Sequence, residues 1–173
     1  MATIFANDLI WAIPCLMIIL WLRAGNRMRR ALIAAAVAGV IGLLINQCIG
    51  FFYWHPRPFM IPIGRTLIPH APDSSFPSDH LTLWWAVAFS LLSQRHHRLG
   101  LALSLIGVPI AWARIYLGVH FPLDMVGAAA VAILSVPLAR HTARRHLTPV
   151  YLLALKIHRR LFAPLIASGW IHR

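Results

Sequence analysis

Long apolar runs separated by short polar breaks dominate the chain. Residues 4–22 form the first run, with Asn7 and Asp8 near its start. Residues 31–54 form the second, interrupted only by Asn46 and Gln47. A shorter run covers 81–93, a fourth covers 99–118 and a fifth 123–139. A helix needs roughly 20 mostly apolar residues to cross the hydrocarbon core of a bilayer. The pattern therefore predicts an all-α fold, a polytopic membrane helix bundle of about five or six transmembrane helices. The third run is short for a span and draws on residues of the preceding loop. Nothing marks a second domain, a repeat or a low-complexity tract, so 1–173 reads as one integral-membrane domain.

Composition strengthens this picture. Hydrophobic residues make up 60% of the chain and charged residues only 12%, whereas about a quarter of a soluble domain is charged. A soluble core of this length has no room for so much apolar surface. No basic region precedes the first run, and Arg23 and Gly25 follow it in place of an Ala-x-Ala-like cleavage site. It is read as a retained span. Cys15 and Cys48 lie inside proposed spans, with neither zinc-type spacing nor a disulfide framework.

The segment 147–173 holds two apolar stretches, 147–155 and 161–171, split by Lys156, His158, Arg159 and Arg160. Cations at the bilayer centre are costly. The expectation is an amphipathic helix on the cytoplasmic surface, in preference to a sixth span.

Charge then gives orientation. The net charge is +12, but its distribution argues against nucleic-acid binding. Arg23, Arg27, Arg29 and Arg30 lie between the first two spans, Arg95 and Arg98 between the third and fourth, and Arg140, Arg144 and Arg145 after the fifth. Alternating spans put all three clusters on one side, which the positive-inside rule makes cytoplasmic. The four acidic residues, Asp8, Asp73, Asp79 and Asp124, all fall on or near the other side. The expected location is a bacterial inner (cytoplasmic) membrane, with membrane lipids around the chain and no nucleic acid.

Three polar segments reach that outer side where spans end or begin. They are His55-Pro56-Arg57-Pro58, then Pro77-Ser78-Asp79-His80, then Ala113-Arg114 with His120 and Asp124. Ionisable groups at membrane depth default to a functional reading. An Arg fork suits bidentate phosphate binding, and Ser78 stands at a helix start, where backbone N–H groups attract anions. Histidine attacks phosphorus as a nucleophile, and a carboxylate four residues on is placed to fix its tautomer. A second histidine suits general acid–base work near neutrality.

These segments resemble the signature of the type 2 phosphatidic acid phosphatase superfamily, Lys-x6-Arg-Pro, Pro-Ser-Gly-His and Ser-Arg-x5-His-x3-Asp. The likeness runs from Asn46 to Gly127, and is closest to the bacitracin-resistance-type undecaprenyl-diphosphate phosphatases, through His55-Pro56-Arg57-Pro58-Phe59, Ser75-Phe76-Pro77-Ser78-Asp79-His80 and Tyr116-Leu117-Gly118-Val119-His120. The resemblance implies His120 as nucleophile, Asp124 as its orienting group and His80 as general acid. It places Arg57, Ser78, Arg114 and the motif position Asp79 at the phosphate. It implies no metal and no cofactor, a polyprenyl diphosphate lipid as substrate, and a site facing the periplasm or cell exterior. The sequence departs from the signature at Gly50, where the family has lysine, at Asp79 and at Ala113. Arg65 and His55 are the substitutes it offers for the lysine. His55, His70, His96, His97 and His141 are read as interfacial, without catalytic work. Other lipid phosphates (phosphatidylglycerol phosphate, diacylglycerol diphosphate or lipid A), transfer to a second lipid, and a non-catalytic scaffold stay open as alternatives.

Overall fold

A computed structural model describes residues 2–61 and 66–172. The chain enters through a widened helical turn, Ile4–Asp8, and a tight one, Leu9–Trp11, before α1 (Ala12–Arg23). It continues through α2 (Asn26–Phe52), α3 (Asp79–Ser93), α4 (His97–Tyr116), α5 (Pro122–Leu161) and a short α6 (Ala163–Ala167). Among the described residues, three helical stretches are long and apolar enough to cross a membrane: Asn26–Phe52, His97–Tyr116 and Pro122–Ala143. Leu9–Arg23 is apolar but shorter. The first expected span is thus an irregular helical path whose break falls at Asn7 and Asp8. The third begins only two residues before the apolar run, at Asp79.

Small residues let the helices approach closely. α2, α3 and α5 pack pairwise on one another, and α4 packs on α3. Ala38, Ala86 and Ala132 are fully buried where the first three meet. In lipid no hydrophobic driving force pulls helices together, so close van der Waals packing has to do it. The α3–α4 contact adds two indole donors, with Trp84 Nε1 donating to Leu103 O at 2.7 Å and Trp85 Nε1 to Ser104 O at 3.2 Å.

The segment after Leu147 differs from expectation. It is no separate element, because α5 runs unbroken through Pro137 and Pro149 to Leu161. A 40-residue helix is about 60 Å long, roughly twice the hydrocarbon thickness. Side chains at the start of α2 hold the extension. Arg29 is fully buried and donates through Nη2 to His158 Nε2 at 2.8 Å and to His172 O at 2.6 Å. Arg30 stacks 4.9 Å above the Tyr151 ring. The cations that look like a break in the pattern belong to one continuous, docked helix.

Gly100 tests this close packing. A Cβ there would lie 2.8 Å from Leu92 N and 2.9 Å from Ala88 O, both backbone atoms of α3. Backbone cannot swing aside as a side chain does. Gly100→Val is expected to destabilise the protein by about 1–3 kcal/mol, read as a lowered thermal midpoint in detergent. An unchanged midpoint would contradict this α3–α4 approach.

Candidate active site

All three motif segments meet at one end of the bundle, and local backbone chemistry explains how. α4 closes with Gly118 in the left-handed region at φ 75°. Gly118 N bonds Ile115 O at 3.0 Å and Val119 N bonds Arg114 O at 3.2 Å, the paired 5→2 and 6→1 bonds of a Schellman end. Only glycine takes this backbone without strain. The turn folds the chain back so that His120 lies beside Arg114, six residues earlier. Pro122 then opens α5, and the Asp124 carboxylate caps it by accepting Phe121 N at 2.8 Å. Ser78 N donates to Asp124 O at 3.3 Å, tying the start of α3 to the start of α5. Ser75 N donates to His55 O at 2.8 Å, joining the loop ends that carry the first two motifs.

His120 is the hub. Its Nδ1 lies 3.1 Å from Asp124 Oδ2. The same oxygen takes a short hydrogen bond from the Ser75 hydroxyl. On the other side of the ring, Nε2 lies 3.1 Å from Arg57 Nη1 and 3.3 Å from Arg114 Nη2. Guanidinium groups only donate, so Nε2 must be the acceptor, with an available lone pair. Nδ1 therefore carries the proton and donates it to Asp124. Burial pushes the pKa of His120 down to about 4; the charges of Arg114 and Arg57 push the same way, and the Asp124 hydrogen bond opposes. The ring is a neutral imidazole at physiological pH, with its unprotonated nitrogen facing two cations.

Both arginines are buried and held from several sides. Arg57 donates from Nε to Asp73 Oδ1 at 2.7 Å, from Nη1 to Val119 O at 2.8 Å and from Nη2 to Ser74 O at 3.2 Å. Arg114 donates from Nη1 to Ala6 O at 2.8 Å, which brings the entering segment into the site. Ala6 is itself buried in a small cluster with Ile68, Ala113, Leu117 and Val119. Two guanidinium groups, fixed by carbonyls and converging on one imidazole, form a cradle for a tetrahedral oxyanion.

The other motif residues are arranged around His120 in different ways. Ser78 is fully buried at the N-cap of α3, and its Oγ has no partner among the described residues. His80, in the first turn of α3, lies within electrostatic range of Arg114, His120, His70 and Arg57. Asp79 is turned elsewhere, accepting from Asn46 Nδ2 at 2.8 Å and Gln47 Nε2 at 3.5 Å on α2. This gives its carboxylate a donor pair and explains how an acid is tolerated next to an anion site. Of the two substitutes for the family lysine, Arg65 lies outside the described residues. His55 stacks with Tyr53 at 6.2 Å and meets Phe121 edge-on at 5.6 Å.

Two further residues take part. Ser75 stands in the matched motif, but the sequence pattern assigns it no role. His70 reads as interfacial from sequence, yet its Nε2 lies 3.2 Å from Arg114 Nη2 and its ring 6.4 Å from that of His120.

The model of the PAP2 superfamily matches residues 27–147, which contain all three motif segments. The chain belongs to the PAP2 superfamily. Its relatives include YbjG of Escherichia coli (strain K12), 34% identical over 99% of this chain and 86% of that protein. Undecaprenyl-diphosphatase BcrC of Bacillus subtilis (strain 168) is 38% identical over 71% of this chain, but over only 63% of its own length. Among solved structures, Aquifex aeolicus LpxE shares the fold at a TM-score of 0.63 and 23% identity, covering 81% of each chain. This PAP2 chain is a multi-pass membrane protein and a lipid phosphatase.

The tautomer assignment is open to direct measurement. Nitrogen-15 NMR of the histidine side chains at pH 6 is expected to show His120 neutral and protonated on Nδ1, although a free imidazole near pKa 6.5 is largely charged there. An imidazolium signature for His120 at pH 6 would contradict the site as described.

Proposed function

We propose that this protein hydrolyses undecaprenyl diphosphate to undecaprenyl phosphate and inorganic phosphate, through a phosphohistidine on the outer face of a bacterial cytoplasmic membrane. The observation that carries the chemistry is the His120 Nε2 lone pair, held 3.1 and 3.3 Å from two guanidinium groups. Relatives named for undecaprenyl-diphosphatase activity support the substrate. Segregation of the Arg clusters from all four Asp supports the orientation.

In the first step the terminal phosphate lies between Arg57 and Arg114, near the Ser78 hydroxyl. His120 Nε2 attacks the terminal phosphorus, an N–P bond forms, and the bond from phosphorus to the bridging oxygen breaks. His80, protonated once the diphosphate's negative charge is bound beside it, gives its proton to that oxygen, so the lipid leaves as its monophosphate. Negative charge developing on the equatorial oxygens is met by guanidinium donors that are already in place. The imidazole gains positive charge as it attacks, and Asp124 stabilises it through Nδ1–H. In the second step His80, now a base, takes a proton from water. The water oxygen bonds to phosphorus, the N–P bond breaks, and inorganic phosphate departs with His120 neutral again.

The assay is phosphate release by purified protein in detergent with EDTA present. Undecaprenyl diphosphate is expected to give the highest kcat/KM in a panel with phosphatidylglycerol phosphate, diacylglycerol diphosphate and lipid A phosphate. In Asp124→Asn, kcat is expected to fall by about 10²–10⁴-fold, the usual range when a proton-handling group is disabled. Preference for another lipid in the panel would overturn the substrate assignment. Full activity in Asp124→Asn would remove the orienting role.

A further inference from the structure

Any role for His70 rests on the phosphoryl-transfer reading, which leaves one gap in the site. Gly50 stands where the family signature has a lysine, and the loop closes over it: a Cβ at Gly50 would sit 3.4 Å from Ser74 Cβ. His55 does not fill the gap, because its ring is packed between Tyr53 and Phe121. His70 does reach the site. It lies on the loop between α2 and α3, half-buried, with Nε2 3.2 Å from Arg114 Nη2.

The geometry fixes its tautomer too. Since Arg114 can only donate, His70 Nε2 accepts, and Nδ1–H donates to Ala71 O at 3.1 Å. The groups around the ring are Arg57, Arg114, Asp73, His120, His80 and the Phe59 ring. Asp73 Oδ1 is 4.0 Å from Nδ1, and the Phe59 ring centroid is 6.4 Å away. Without an anion the field is cationic; burial, and after it Arg57 and Arg114, keep the ring neutral. A phosphate dianion changes the sign of that field.

We infer that His70 takes the place of the missing lysine as a third cationic phosphate ligand, charged only when phosphate is bound. Arg114 turns its Nη2 donor from His70 to a phosphate oxygen. His70 Nε2 then takes a proton from solvent and donates it in a hydrogen bond to another oxygen of the same phosphate. The only covalent change is one new N–H bond, so dianion binding carries a proton with it. A permanent lysine charge becomes a conditional one. Two arginines with their few counter-charges are then not joined by a third cation in the empty site.

The test uses the full-length protein in detergent and inorganic phosphate at pH 8 as probe. Calorimetry in buffers of different ionisation enthalpy measures affinity and proton uptake together. The parent is expected to take up about one proton more per phosphate than His70→Gln, which binds about tenfold more weakly, the scale of a charge-assisted hydrogen bond. His70→Lys is expected to bind as tightly as the parent without the extra proton. With undecaprenyl diphosphate, His70→Gln raises KM about tenfold and leaves kcat nearly unchanged, since the same contact is lost. Equal affinity and equal proton uptake in the parent and His70→Gln would overturn the inference. So would a fall in kcat alone with phosphate affinity intact. If the parent fails on undecaprenyl diphosphate but the phosphate arm behaves as described, the substrate reading fails and the role of His70 stands.

Discussion

The site depends on a neutral imidazole that presents Nε2 to two guanidinium groups. Burial and the charges of Arg114 and Arg57 keep the ring uncharged, while Asp124 holds its Nδ1 proton and so fixes the tautomer. Each neighbouring structure serves that condition. The Schellman end at Gly118 swings His120 back to Arg114. The capped start of α5 aims Asp124 at the ring. The Ser75 hydroxyl donates to the same carboxylate oxygen that accepts the Nδ1 proton. Asp124 and the two guanidinium donors together keep the proton on Nδ1 and the lone pair on Nε2.

The bundle serves the same end from a distance. Close alanine packing of α2, α3 and α5 sets the ends of three helices beside one another, and the motif residues sit on those ends and the loops between them. The entering segment supplies Ala6 O to Arg114, so even the irregular first turns of the chain help to aim a guanidinium group. Backbone carbonyls, which cannot be protonated away, take two N–H groups of Arg57 and one of Arg114. This leaves their remaining N–H groups for the substrate.

How much of this is legible in the sequence depends on distance along the chain. Arg114, His120 and Asp124 are separated by one helix end and one turn, so their spacing alone encodes their geometry. Ser78 and His80 are legible for the same reason, as N-cap and first turn of α3. The apolar runs give the helix order, because hydrophobic length is a one-dimensional property. His70 and Ser75 are not legible as participants. Their roles come from contacts 44 to 49 residues away in sequence, made by a loop whose path no periodicity specifies. The continuity of α5 is hidden because the cluster Arg140, Arg144 and Arg145 suggests the end of a span. The deciding contacts, Arg29 with His158 and Arg30 with Tyr151, lie across the fold. Asp79 looks discordant until Asn46 and Gln47 on α2 supply its donors.

The central claim is that His120 Nε2 is the atom that receives phosphate. Rapid quench of the purified enzyme during turnover, then digestion under alkaline conditions and mass spectrometry, tests it most directly. The account predicts an acid-labile, alkali-stable phosphate on the peptide carrying His120, attached at Nε2, and absent in His120→Ala. Phosphate on His80, or turnover sustained in His120→Ala, would contradict it.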